Sequence, residues 1–179
     1  VTANNGGAAR TLWMTKNLSV GCNTDGTINS LSLSSSDSNV SSYTTPTTSG
    51  HSNTYTDGKI VCSDNANSGA WYNYVAASAG TINTNGDNST TASSSVCPKG
   101  WALPSHSQIS AAASNKTAFS PVTGGYYNGG TLHNTGLGYW WSSYAYGGTL
   151  RWNLRYNGSY LYTGYDSRYI GYYVRCVRS

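Results

Sequence analysis

From Thr123 onward the chain alternates large aromatic residues with glycine turn signals, and this pattern narrows the folds open to it. The stretch TGGYYNGGTLHNTGLGYWWSSYAYGG runs into LRWNLRYNGSYLYTGYDSRY at 150–169. Asn128-Gly129, Gly147-Gly148 and Asn157-Gly158 are hairpin signals. Strands are expected near 124–127, 138–143, 149–156, 159–163 and 172–178.

Upstream the text changes. TLWMTKNLSV (11–20) reads as a short strand. SGAWYNYVAASAG (68–80) predicts a first helix, because Trp71, Tyr74, Val75 and Ser78 fall on one helical face. Ser68 would cap its start and Gly80 its end. In ALPSHSQISAAASNK, Ser105 with Gln108 is a capping box, so a second helix is expected to about Asn115. Two polar stretches, 23–58 and 81–95, read as surface loops, and the first offers few sizeable side chains. Two helices followed by a strand cluster make the chain α+β, in a single domain spanning 1–179.

Composition excludes several classes of function. Only 9% of residues are charged and glutamate is absent, yet 16 tyrosines and 6 tryptophans give ample area to bury. Disorder is therefore not expected. No apolar run is long enough to span a membrane. No leader pattern precedes Val1, which suggests a mature or trimmed chain. The net charge of +4 comes with few lysines and no nucleic-acid motif, so nucleic acid is not an expected partner. Cys22, Cys62, Cys97 and Cys176 lack metal-ligand spacing, so neither zinc nor any other cofactor is expected. Their even number in a polar chain suggests disulfides and an oxidising compartment, although four cysteines allow three pairings.

Three ordered segments carry a resemblance: Trp13-Met14-Thr15-Lys16-Asn17-Leu18, then Cys97-Pro98-Lys99-Gly100-Trp101-Ala102-Leu103-Pro104-Ser105, then Tyr139-Trp140-Trp141-Ser142-Ser143 leading to Gly171-Tyr172-Tyr173-Val174-Arg175-Cys176-Val177. In this order the chain resembles the Fibrobacter succinogenes major paralogous domain family. That family is related to the C-type lectin fold and to formylglycine-generating domains. The resemblance implies a lectin-type fold with two helices, a small mixed or antiparallel sheet and termini close together. It favours Cys97 pairing with Cys176 and Cys22 with Cys62. Some members of this fold group are variable proteins of diversity-generating retroelements, whose C-terminal codons are rewritten by error-prone copying. Residues 144–170 are rich in the amino acids such copying yields.

The expected binding surface follows from this. Tyr, Trp and Arg give large contact area, and Ser, Gly and Asn give adaptability, as in antibody paratopes. Within the C-terminal region 139–179, Tyr144, Tyr146, Arg151, Trp152, Asn153, Arg155, Tyr160, Tyr162, Tyr165, Asp166 and Tyr169 are the expected ligand-facing residues. Leu150, Leu154, Tyr156, Leu161, Val174, Val177, Trp140 and Trp141 are expected to be structural. Trp152 is ambiguous, because it shares strand parity with Leu150 and Leu154. The partner would be a protein or glycan on another cell or a phage, met by a monomer outside the cell or anchored on its surface. A structural surface protein and a calcium-independent carbohydrate-binding module are the competing readings. An enzyme is not expected, because the four cysteines are better used as disulfides, glutamate is absent, and His51, His106 and His133 sit in unrelated contexts. No calcium-lectin run is present, so no metal is expected either.

Overall fold

The structure is a computed structural model that describes residues 2–3, 11–38, 40, 42–46, 57–63, 69–82 and 90–178. Thirteen strands are described. They are β1 (Thr2–Ala3), β2 (Thr11–Trp13), β3 (Ser32–Ser34), β4 (Ser42–Thr44), β5 (Ile60–Cys62), β6 (Ala70–Tyr72), β7 (Tyr126–Asn128), β8 (Thr131–His133), β9 (Gly138–Gly147), β10 (Leu150–Tyr156), β11 (Leu161–Ser167), β12 (Tyr172–Tyr173) and β13 (Val177–Arg178). Three helices accompany them: α1 (Tyr74–Ala77), α2 (His106–Ala113) and α3 (Lys116–Phe119). The fold is α+β, as expected, with one helix more than the sequence suggested.

The main sheet has six strands in the order β11-β10-β9-β12-β6-β5. It is mixed, because β12 runs parallel to β9 while the other neighbours are antiparallel. Three aromatic doublets sit side by side in its centre: Trp71-Tyr72 on β6, Tyr172-Tyr173 on β12 and Trp140-Trp141 on β9. Successive strand residues point to opposite faces, so each doublet sends one ring each way. Trp71, Trp140 and Tyr173 pack with Trp13, Ile109, Ala112 and Phe119 on the face that α2 and α3 cover. Tyr72, Trp141 and Tyr172 pack with Tyr74, Ile60, Leu18 and the Cys97–Cys176 pair on the other. The doublets thus serve two cores through one sheet.

Both disulfides are closed: Cys22–Cys62, with Cα atoms 5.6 Å apart, and Cys97–Cys176, at 5.9 Å. The chain's two ends share a second sheet, ordered β1-β2-β13. The first and last of the segments that carried the resemblance meet at Asn17. Its side-chain oxygen accepts from Trp140 Nε1 at 2.7 Å and from Arg175 Nε at 3.3 Å. Arg175 also donates to the carbonyls of Phe119 and Ser120 and lies over the Phe119 ring. These segments build the core.

The structure corrects three expectations. The first helix is a single turn, because Ala70–Tyr72 pairs between β5 and β12 and Asn73 caps α1. Residues 69–79 are all buried, so helical spacing of apolar residues carried no information there. The proposed cap Ser68 lies outside the described residues. The second helix ends at Ala113, and Asn115 starts α3 by accepting from Ala118 N.

Third, the stretch 23–58 is partly core. Val40 is buried, and Leu33 and Tyr43 pack against the sheet's second face. Thr45 is buried too and accepts from Leu31 N at 2.8 Å. Ser38 bridges to Pro98, and Lys99 N donates to the Asp37 carbonyl. Within 81–95, Ile82 and Ser95 are buried, and residues 83–89 lie outside the described part.

Candidate binding surface

The outer half of the main sheet is the β9–β10–β11 meander, whose turns fall where the glycine signals put them. Gly147 and Gly148 join β9 to β10 at φ of 148° and 54°, the second a left-handed value that a side chain would strain. After β10, Asn157 Oδ1 accepts from Ser159 N and Tyr160 N, closing the next turn. The register pairs Arg151 with Asp166, Trp152 with Tyr165 and Arg155 with Tyr162.

Residues paired across a sheet share a face, so the expected binding residues divide. Trp152 and Tyr165 lie on the helix side. There Tyr146 stacks on Tyr165, with ring centres 3.6 Å apart and planes 7° from parallel. Trp152 meets both rings edge-on, and His106 at the start of α2 packs on Trp152 at 4.2 Å. Tyr144, Tyr146 and Tyr165 are exposed, while Trp152 is half-buried.

The opposite face holds Arg151, Asn153, Arg155, Tyr162 and Asp166. Two of these are not surface residues. Arg151 is fully buried, donates to the carbonyls of Gly148 and Leu150, and lies over the Tyr74 ring. Asn153 is fully buried and donates to the Arg151 carbonyl. Rings of Tyr74, Trp141 and Tyr172 cover this part of the sheet, so polar parity there did not mean exposure.

Arg155 and Asp166 form a half-buried ion pair at 2.5 Å. Arg155 Nε donates to Asn153 Oδ1 at 2.8 Å and its Nη2 to the Tyr165 carbonyl at 2.9 Å. Asp166 also accepts from the hydroxyl of Tyr172 and from Asn153. Burial alone would lower the Arg155 pKa; the Asp166 charge and nearby phenols outweigh it and hold the group above its usual value. Burial, then the Asp166 charge, pushes the Tyr172 phenol well up. The cluster is a clamp that binds β10, β11 and β12 together. Beside it Tyr162 is half-buried, and Tyr160 projects from the turn with 59% of its surface exposed. Tyr169 is half-buried against the second-face core.

Sequence reasoning missed His106. The capping box fixes it as the first residue of α2, but only the packing of α2 on the sheet brings it to Trp152. A groove of about 370 Å³ beside β13 is lined by Trp101, Leu103, Gln108, Val177 and Arg178 among others, and holds none of the expected residues. Among the described residues no three His, Cys, Asp or Glu side chains converge as a metal site requires, and no helix is long and apolar enough to cross a membrane. Compared with known proteins, the chain matches no protein-family model, no curated protein and no solved structure.

Proposed function

We propose that this is a ligand-binding display domain of lectin-type fold, working outside the cell or on its surface, whose C-terminal meander presents a diversifiable binding surface. One observation carries the reading. Among the described residues six large apolar side chains are exposed, and four of them are Tyr144, Tyr146, Tyr160 and Tyr165. Such rings give contact area and a hydrogen-bonding tip at small entropy cost. Tyr144, Tyr146 and Tyr165 stand on paired strands of a covered sheet and Tyr160 on the turn between β10 and β11, so their side chains can change while the backbone stays fixed. Tyr144, Tyr146, Trp152, Tyr160, Tyr162 and Tyr165 are the contact residues in this reading. Arg151, Asn153, Arg155 and Asp166 hold the strands beneath them. The two disulfides fit an oxidising compartment.

The test is genetic. Near-identical copies of the gene should differ at the codons for 144, 146, 152, 160, 162 and 165 and agree at 151, 153 and 154. A second, adenine-rich copy of the 3′ end should lie close by. Differences spread evenly over the surface loops would refute the reading.

A further inference from the structure

Tyr146 and Tyr165 come from strands that are not neighbours, since β10 runs between β9 and β11. Their rings nonetheless overlap at 3.6 Å and 7° from parallel, with 47% and 44% of their surfaces exposed. Full face-to-face overlap is disfavoured relative to offset or edge contacts, because like faces of the ring quadrupoles meet. The surroundings hold the pair in this arrangement. Trp152 lies edge-on to both rings at 5.0 and 5.9 Å, and the sheet register sets Trp152 opposite Tyr165.

We infer that Tyr146 and Tyr165 form an oxidative cross-linking site, where a one-electron oxidant of the peroxidase class joins the two rings as an intramolecular dityrosine. Each phenol gives up one electron and its hydroxyl proton, leaving a radical with spin on the carbons ortho to oxygen. One ortho carbon of Tyr146 bonds to one of Tyr165. The hydrogens on the two bonded carbons leave as protons, and each oxygen regains a proton. The pair has then lost two electrons and two protons in all. One hydrogen peroxide takes these up and becomes two waters.

Geometry supplies the selectivity, because partners held in contact react as if at a concentration far above that of a dilute protein. All four cysteines are in disulfides and the chain has one methionine, so little sulfur competes for the oxidant. The link would join β9 to β11 across β10 and fix the outer edge of the sheet.

The experiment treats the folded protein, at low micromolar concentration, with a haem peroxidase and hydrogen peroxide. Trypsin cleaves after Lys116, Arg151, Arg155 and Arg168, so the two tyrosines fall in separate peptides. The expected product is a monomer in which those peptides are joined with loss of two hydrogens. Fragmentation should place the bond at Tyr146 and Tyr165, in about tenfold excess over any link between molecules. Tyr146→Phe and Tyr165→Phe keep the stacked ring, so each should stay folded and lose the link. Absence of dityrosine would overturn the inference. So would links chiefly between molecules through Tyr144 or Tyr160, or an undiminished yield in either Phe variant. Should a Phe variant fail to fold, bond placement in the unmodified chain decides alone.

Discussion

Arg155 lies flat across Gly164. A Cβ atom on Gly164 would fall about 2.5 Å from the Arg155 Cζ, so only glycine leaves the guanidinium room to reach Asp166. Glycine inside a strand ordinarily weakens it; here it is the condition for the clamp.

Gly164→Ala should therefore destabilise the protein by about 1–2 kcal/mol, although alanine normally gains in a strand. The range reflects lost charge-assisted hydrogen bonds, discounted because the pair is part-exposed. In the background of Arg155→Ala the same change should cost nothing further. Denaturant titration of the four chains of this cycle measures both effects. A stabilised Gly164→Ala variant would show that the arginine can lie elsewhere at no cost.

The polar stretch 23–58 yields a second expectation. By closure entropy alone, shortening it would matter little, since each doubling of loop length costs only about 0.6 kcal/mol. Yet Tyr43 and Val40 anchor it to the core. Tyr43→Ala should cost about 2–4 kcal/mol by emptying that space. Removal of residues 33–48 should lower the melting temperature strongly. A melting temperature that holds would mean that the anchors do not contribute.

Much of this architecture was legible in the sequence, and the exceptions share a cause. Turns at Gly147-Gly148 and Asn157-Gly158 declared themselves because glycine there answers a local backbone need. The capping box at Ser105 and Gln108 did so too. Residues 70–72 did not, since a fully buried segment looks alike as helix or strand until its neighbours are known. Arg151 and Asn153 misled for the same reason. Their parity with Arg155 was readable, but the Tyr74 and Trp141 rings that bury them come from distant sequence. The placement of Tyr146 on Tyr165 depends on register across two hairpins, which no local pattern encodes.

Alkaline pH should unfold the protein early. Burial pushes up the phenols of Tyr43, Tyr72, Tyr74, Tyr172 and Tyr173, with Tyr43 at about 12. An unfolded tyrosine ionises near 10. A raised folded pKa means the unfolded chain loses its protons first, so this stability is whole below about pH 10 and falls as pH rises toward 12. Arg175 works the other way, because burial lowers its pKa to about 10, but one guanidinium faces five phenols. Denaturant midpoints between about pH 9 and about pH 12 should fall, and less steeply in Tyr43→Phe. A flat profile would mean the phenols ionise freely in the folded state.

The two disulfides should differ in access. Cys97 and Cys176 are fully buried, whereas Cys22 and Cys62 are half-buried. Under native conditions a thiol reductant should open Cys22–Cys62 first, as measured by timed alkylation and peptide mapping. Loops of 40 and 79 positions give each bond about 4 kcal/mol in the chain-entropy account, so loss of either should be visible in the melt. Earlier labelling of Cys97 and Cys176 would contradict the burial.

The display reading makes a demand that can be tested without knowing the natural ligand. Exposed substitutions usually change stability by less than about 0.5 kcal/mol, so changing the exposed Tyr144, Tyr146, Tyr160 and Tyr165 together with the half-buried Tyr162 should cost at most about 2–3 kcal/mol. A domain stable by about 5–15 kcal/mol can absorb that. Buried polar residues are different, since emptying an Arg151 or Asn153 site strands hydrogen-bonding groups at about 1–3 kcal/mol apiece. Two libraries on a phage coat would separate the cases. One is randomised at the five tyrosines, the other at Arg151, Asn153 and Leu154. Most members of the first should resist protease, and selection against a probe such as lysozyme should recover binders from it. Most members of the second should be cleaved. If the libraries survive equally, the buried set does not hold the surface in place. If the first is cleaved as readily as the second, the tyrosines belong to the fold and the meander is no display surface.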